Sequence, residues 1–427
     1  MTRAMKDSGI KWIGEIPANW KIEKIKHTLK YIVDNRGRTP DVEEIPSGIP
    51  LLELDAIGEK YPDVEKVSKF ISQETYNKFI RDGLLAGDVL MGTVGSVGKC
   101  SIIPKHFNYC IAQNIVGFRF ENNQESLFWY YYFQTNSFKH MFMQFNKGNI
   151  QDSIKISDMR RGLVCVPPKI VQQRVASFLD SKCQEIDNVL AKTRSSIEEY
   201  KKLKQAIITK AVTKGIRKNR KMKDSGIEWI GEMPKHWSIK RGKYILEYLQ
   251  KPVKSDDGVI TCFRDGEVTL RSNRREDGFT MSDKEIGYQG IDKGDLVVHG
   301  MDGFAGAIGI SDSRGKASPV LNVLDSCCNK KYLMYYLRTM AYSNVFVALA
   351  SGIRVRSCDL RWNKLASLPY PVTDIKEQSE IAQYIDIKCS EIDNLILKKE
   401  QLISELESYK KSLIYEYVTG KKEVPMA

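Results

Sequence analysis

FLDSKCQEIDNVL, residues 178–190, returns as YIDIKCSEIDNLI, residues 384–396. In the first stretch and beyond it, Leu179, Cys183, Ile186, Leu190, Thr193, Ile197 and Tyr200 step by alternating fours and threes, continuing less strictly through Leu203, Ile207 and Ala211. Ile385, Cys389, Ile392, Ile396, Lys399, Ile403 and Leu406 repeat the same steps. That spacing is a heptad seam on an α-helix. Prolines stand before each helix (Pro167 and Pro168; Pro369 and Pro371) and glycines after it (Gly215 and Gly420), as start and stop signals require. From about residue 172 to residue 213 such a helix would run roughly 60 Å. Neither helix can bury its stripe alone, so the two are expected to pack against each other, antiparallel if the two copies are related by a pseudo-twofold axis. Thr193 and Lys399 occupy equivalent seam positions, where a polar group fixes register at some cost in stability.

A second duplication brackets the first. KDSGIKWIGEIPANWKI at Lys6 recurs as KDSGIEWIGEMPKHWSI at Lys223, and the strings differ only at Lys11/Glu228, Ile16/Met233, Ala18/Lys235, Asn19/His236 and Lys21/Ser238. The chain of 427 residues therefore reads as phrase, body, tail, twice over. Between residues 23 and 165 and between 240 and 370 identity nearly vanishes, yet punctuation persists: GDVLMGTVGSVGK at Gly87 faces GDLVVHGMDGFAGAIG at Gly294. Alternating apolar residues, frequent turns and helical stretches such as residues 126–142 and 331–340 suggest mixed α/β bodies. The aromatics of FWYYYF from Phe128 stand at helical spacing and read as core, and Trp12, Trp20, Trp229 and Trp237 as anchors for each phrase.

Composition narrows the partners. A net charge of +13 attracts polyanions, with nucleic acid foremost. No apolar run approaches the roughly 18 residues that a membrane span needs, and the opening MTRAMKDSG lacks a signal-peptide core, so a cytoplasmic protein is expected. Nine cysteines without a CxxC pair fit reduced thiols serving as small apolar residues, with no metal site.

Catalytic motifs do not emerge. MGTVGSVGKCS misses the GxxxxGK[ST] phosphate loop at Thr93 and Cys100, and the second copy has no lysine there. Asp63, Glu65 and Lys66 have the wrong spacing for a metal nuclease, and VPPK at Val166 lacks the aromatic and amide of a base-flipping motif. The histidines, His27, His106, His140, His236 and His299, form no ligand cluster.

The opening DSGIxWIGExPxxW, the Gly-Asp-strand-glycine loop, the prolines before an isoleucine-rich helix and the repeated layout together resemble the DNA specificity subunit of type I restriction-modification systems. The resemblance covers nearly the whole chain. It implies an α+β chain with two mixed α/β target recognition domains in a pseudo-twofold arrangement, separated by two long helices packed as an antiparallel coiled coil. The domains would span 1–166 and 218–370, the spacer helices 167–217 and 371–427. It further implies a non-catalytic subunit that reads a bipartite, asymmetric site in double-stranded DNA and docks two methyltransferase subunits, to which endonuclease/translocase subunits add. S-adenosylmethionine, ATP and magnesium would belong to those partners, with no cofactor on this chain. The alternative is a stand-alone DNA-binding or scaffold protein without modification partners.

Basic and amide side chains clustered in loops are the candidate DNA contacts, because lysine and arginine meet phosphates while arginine and amides meet base edges. In the first body these are Arg36, Arg38 and Thr39; Thr93, Ser96 and Lys99; Gln113 and Asn114; and Lys147, Asn149, Gln151, Ser153 and Lys155. In the second they are Arg264, Arg271, Asn273, Arg274 and Arg275, with Arg354, Arg356 and Ser357. The resemblance places recognition in such loops and carries over no individual contact.

Overall fold

A computed structural model of the protein describes residues 3–35, 40–42, 48–80, 83–94, 98–143, 155–274, 286–349 and 360–425. Packing divides the chain into two compact units, Met1–Thr193 with Gln401–Ala427, and Arg194–Glu400.

In the first unit the opening phrase folds as a hairpin, Met5–Asp7 pairing antiparallel with Glu15–Pro17. Asp7 Oδ1 accepts the Gly9 N–H at 2.9 Å, and Gly9 and Gly14 adopt φ of +69° and +67°, a backbone that side chains with a Cβ rarely take. The hairpin sends Ile10, Ile13, Ile16 and Trp20 into the core. Strand Lys21–Lys24 then pairs with Leu163–Val166, Lys21 opposite Val166, so the two ends of the body are joined side by side.

That body is built on strands β1 (Leu29–Asp34), β2 (Val89–Gly92), β3 (Cys100–Ile102) and β4 (Ile115–Phe120), in the antiparallel order β1-β4-β2-β3. Alternation decides the two faces. Val89, Met91, Val116, Phe118 and Phe120 turn toward α1 (Ser126–Phe133), where Trp129 stacks on Phe120 at 5.2 Å and Phe133 meets Phe118 edge-on at 5.0 Å. Leu90, Ile115 and Val33 turn the other way, onto Leu52, Ile57, Leu84 and Ile111. The FWYYYF run is buried throughout, as its helical spacing predicts.

The second unit repeats this plan. Its hairpin pairs Met222–Asp224 with Glu232–Pro234, and Ser238–Arg241 pairs with Pro369–Val372. Strands β5 (Leu246–Tyr248), β6 (Leu296–His299), β7 (Ile308–Ile310) and β8 (Leu321–Ser326) form a sheet in the order β5-β8-β6-β7. Helix α3 (Lys330–Tyr342) covers Leu296, Val298, Ile308 and Leu324, while Val297 and Val323 face Ile260, Ala307 and Leu321.

Helices α2 (Lys169–Lys214) and α4 (Ile375–Val418) each contribute one stretch to each unit. In the first unit Phe178 packs on Tyr417 at 4.6 Å and Lys410 bonds Asp187 at 2.6 Å; in the second, Lys204 bonds Asp393 at 2.7 Å and Arg217 bonds Glu380 at 2.6 Å. Rising numbers on one helix meet falling numbers on the other, so the packing within each unit is antiparallel. Leu179, Cys183, Ile186, Leu190, Ile197, Ile385, Cys389 and Ile392 are buried, and Ile396 and Ile403 half-buried. Thr193 is buried with its hydroxyl on the Val189 carbonyl, and the Lys399 ammonium lies 5.7 Å from the Tyr200 ring. One deviation appears late in α2: Leu203 is exposed and Ile208 is buried instead of Ile207. A strict seven-residue repeat drifts about 20° per heptad on a helix of 3.6 residues per turn, and one extra residue restores the phase. Gly215 and Gly420, both at φ +72°, follow the helices.

Candidate nucleic-acid interface

Each body hangs on a Gly-Asp turn before its second sheet strand. In the first unit Gly87 (φ +86°) precedes Asp88, whose Oδ2 accepts the Leu85 N–H at 2.8 Å; in the second, Gly294 (φ +92°) precedes Asp295, whose Oδ2 accepts the Asp292 N–H at 2.8 Å. Both aspartates are buried and need a cation. Arg119 supplies a two-pronged partner for Asp88 at 3.0 and 2.8 Å, whereas Lys251 meets Asp295 at 2.7 Å.

Beyond that turn the first body joins Thr93 to Asn114. Thr93 is buried, its N–H and hydroxyl both directed at the Asn114 carbonyl at 2.9 and 3.1 Å. Gln113 and Asn114 project from the exposed turn before β4, and Lys99 is exposed beside β3. Lys155 stands apart, exposed at the start of the short helix Ile156–Arg161. Arg36, Arg38, Thr39, Ser96, Lys147, Asn149, Gln151 and Ser153 lie outside the described residues.

In the second body Arg264, Arg271 and Arg274 converge on one cavity of about 630 Å³. The hairpin Ile260–Cys262 with Val268–Leu270 sets Arg271 beside Val259, and the short helical turn Arg271–Asn273 that follows lets Arg274 reach Asp265 next to Arg264. Arg274 lies over the Phe263 ring at 4.2 Å and is held by Asp265 and by Glu267 at 3.2 Å; Arg264 is held by Asp302 at 2.9 Å. Arg271 reaches Thr261 Oγ1 at 3.4 Å, and Asn273 donates to Thr269 Oγ1 at 2.9 Å from the same hairpin. Carboxylates and a ring face fix these guanidinium planes, and a fixed fork loses less entropy when it meets a phosphate or a guanine edge. Arg275, Arg354, Arg356 and Ser357 lie outside the described residues.

Tyr288, His299 and Asp302 also line the cavity and were not among the candidate contacts that the sequence suggests. His299 Nδ1 accepts the N–H groups of Met301 and Asp302 at 3.2 and 3.0 Å, which leaves the proton on Nε2, and burial holds the ring's pKa below its ordinary value. The only sequence signal was a histidine ending an apolar strand before a glycine turn.

The frame residues also acquire roles. Asp180 accepts from Lys60 at 2.6 Å and from the Tyr131 hydroxyl at 3.0 Å; Asp386 accepts from Lys331 at 2.7 Å and from the Tyr335 hydroxyl. Burial above all, helped by Cys183 and Asp180 at Tyr131 and by Asp386 at Tyr335, pushes both phenols well above their ordinary pKa. Among the described residues no group of His, Cys, Asp and Glu could hold a metal ion, and no helix is long and apolar enough to cross a membrane.

Comparison with known proteins gives the arrangement its context. Residues 46–199 match the type I restriction modification DNA specificity domain. A putative type I restriction enzyme MjaX specificity subunit from Methanocaldococcus jannaschii is 24% identical over 96% of this chain and 96% of its own length. The MjaVIII specificity subunit of that organism is 22% identical over 96% of this chain and 94% of its own. Among solved structures, a chain from work on complex assembly and conformational transition of the type I R-M system superposes with a TM-score of 0.69 at 12% identity, covering 95% of this chain and 99% of that one. The HsdS subunit from Thermoanaerobacter tengcongensis gives 0.53 at 12% identity, covering 95% and 98%. With a specificity-domain match over residues 46–199, relatives aligned along almost their full length and a shared fold, the chain is similar throughout to the DNA specificity subunits of type I restriction-modification systems.

Proposed function

We propose that each unit reads one half of a bipartite, asymmetric DNA site, and that the chain presents both readings to modification subunits without performing chemistry itself. The observation that carries this is one frame built twice around two unlike bodies. Hairpin, strand pair, sheet order and Gly-Asp turn recur, while the side chains around the candidate interface do not. Equal frames with unequal readers suit an asymmetric target. Two modest readers on one helical spacer bind through effective concentration, so a duplex carrying both halves should bind roughly 100-fold or more tighter than either half alone. The excess of positive charge supplies the salt-dependent phosphate component, and the oriented arginines of the second body supply base readout.

Double-stranded DNA, two methyltransferase subunits and, through them, endonuclease/translocase subunits are the partners of this reading. S-adenosylmethionine, ATP and magnesium are held by those subunits, and the complex works in the cytoplasm. The test is a binding titration with duplexes whose half-sites are separated by different spacers. A single preferred spacer is expected, and lengthening α2 or α4 by about one turn should change it. Equal binding at every spacer, or an unchanged preference in the lengthened chain, would overturn the spacing role. Copurification of the chain with a methyltransferase distinguishes this role from a stand-alone DNA-binding protein.

A further inference from the structure

Strand β6 ends at His299, and the glycine turn that follows fixes the imidazole. Gly300 passes the Val320 carbonyl so closely that a Cβ there would lie 2.9 Å from the oxygen, and the His299 N–H closes the loop on the Ala307 carbonyl at 3.0 Å. Inside the loop the Met301 and Asp302 N–H groups converge on Nδ1, so the ring's proton sits on Nε2. A second proton on Nδ1 would oppose both backbone donors, and burial disfavours the charged ring as well. His299 is therefore a neutral donor with one fixed N–H. Among the described residues no hydrogen bond occupies Nε2, since Asp302 Oδ2 lies 3.9 Å away, beyond hydrogen-bond reach.

Asp302 is held from three sides. Its N–H donates to the imidazole, its carbonyl accepts the Ala305 N–H at 2.9 Å, and its Oδ1 accepts from Arg264 at 2.9 Å. Oδ2 is left beside Nε2, which sets an acceptor and a donor side by side on the wall of the cavity that also holds Arg271 and Arg274. Both side chains are partly exposed, so a ligand can reach the pair. Held in place before binding, such a pair loses little entropy on contact.

Arginine forks suit two acceptors in a row, as on the N7 and O6 edge of guanine; this pair suits an acceptor next to a donor. In the major groove adenine carries that pattern on its own edge, as N7 and the N6 amino group, whereas guanine or thymine would set a carbonyl against the carboxylate. We propose that His299 and Asp302 read one adenine in the half-site of the second unit, with Nε2–H donating to N7 and Oδ2 accepting from the amino group. The inference rests on the proposal that this unit reads double-stranded DNA, and adds the residue pair and the base. The first unit has Gly92 at the position of His299, so the pair belongs to one reader alone and suits an asymmetric target.

Selection of bound duplexes from a random library, by the full chain coexpressed with the methyltransferase subunit of its own system, tests it. The unaltered chain should return a bipartite site with adenine fixed at a position that responds to both variants below. In His299→Asn the amide oxygen can still accept the two backbone N–H groups, but no donor stands where Nε2–H stood; preference for that adenine should fall roughly 10- to 100-fold, with the other positions as strict as before. In Asp302→Asn the amide oxygen can stay on Arg264 while its amino group joins Nε2–H as a second donor, so the preference should move from adenine to guanine. Should the variants misfold, the unaltered chain carries the test: 7-deazaadenine at that position, which lacks the N7 acceptor, should weaken binding about tenfold or more. A bipartite site left unchanged by both folded variants, a response at a base other than adenine, or equal binding of the 7-deazaadenine duplex would overturn the pair while leaving the two-reader proposal standing. No sequence preference from the unaltered chain would overturn that proposal, and the pair with it.

Discussion

Asp88 and Asp295 occupy the same turn, accept the same kind of backbone N–H at the same 2.8 Å, and are both buried, yet one is neutralised by an arginine on a neighbouring strand and the other by a lysine from a separate segment. The helix starts show the same pattern. In the second unit the buried Glu377 gathers Arg220, His236 at 2.9 Å, Trp237 at 3.2 Å and Thr373 at 2.7 Å; where the first unit begins its helix, the corresponding position is Val171, packed against the core. Backbone geometry is what the two units hold in common, and the side chains that satisfy it are local solutions. A frame specified this way tolerates replacement of its contents, which is what a reader of changing DNA targets needs.

The comparison can be broken at several points. Trp20 and Trp237 are equally buried in the two phrases, so Trp20→Ala and Trp237→Ala should each cost about 4 kcal/mol by chemical denaturation. A cost confined to one would mean the frames are not equivalent. Asp88→Ala takes the carboxylate from the mostly buried Arg119 guanidinium, leaving it the Gly83 carbonyl at 2.9 Å, and should cost on the order of 3 kcal/mol; Asp295→Ala should cost less, because Lys251 keeps the Asp292 carboxylate at 2.7 Å.

Acid should separate the units. Burial alone would raise the Glu377 carboxyl, but His236, Thr373, Arg220 and Trp237 bond its charged form and bring it from 4.5 down to about 2. A carboxyl depressed in the folded state stabilises fully above its unfolded pKa and loses that contribution as pH falls through the folded one. Between about pH 5 and pH 2 the unaltered chain should therefore lose roughly 3 kcal/mol that Glu377→Gln does not lose, measured by unfolding at each pH. The smallest effect belongs to the interhelical pairs: Asp187→Ala and Asp393→Ala should each cost less than about 1 kcal/mol, and equally, because both carboxylates are half exposed.

Much of the fold was legible because its signals are periodic or literal. Steps of four and three announced the helices to within a few residues, and the spelled-out phrase announced a frame used twice, though not that it folds as a hairpin. The reading slipped only at Leu203 and Ile207, where the helix drifts out of the heptad. The interface was less legible. Arg264, Arg271 and Arg274 could be picked as a cluster because they stand within eleven residues of one another, but Tyr288, His299 and Asp302 join them from segments distant in sequence that leave no local pattern. Thr93 shows the opposite limit: a hydroxyl in a glycine loop looks available, yet the backbone at Asn114 occupies it.

The central claim is that two unlike readers sit independently on one repeated frame. Replacing residues 23–165 with the body of another specificity subunit and mapping methylated adenines across a host genome tests it most directly. The account expects one half of the recognised sequence to change while the other half and the spacer stay as they were. An unchanged target, or one altered in both halves, would contradict it.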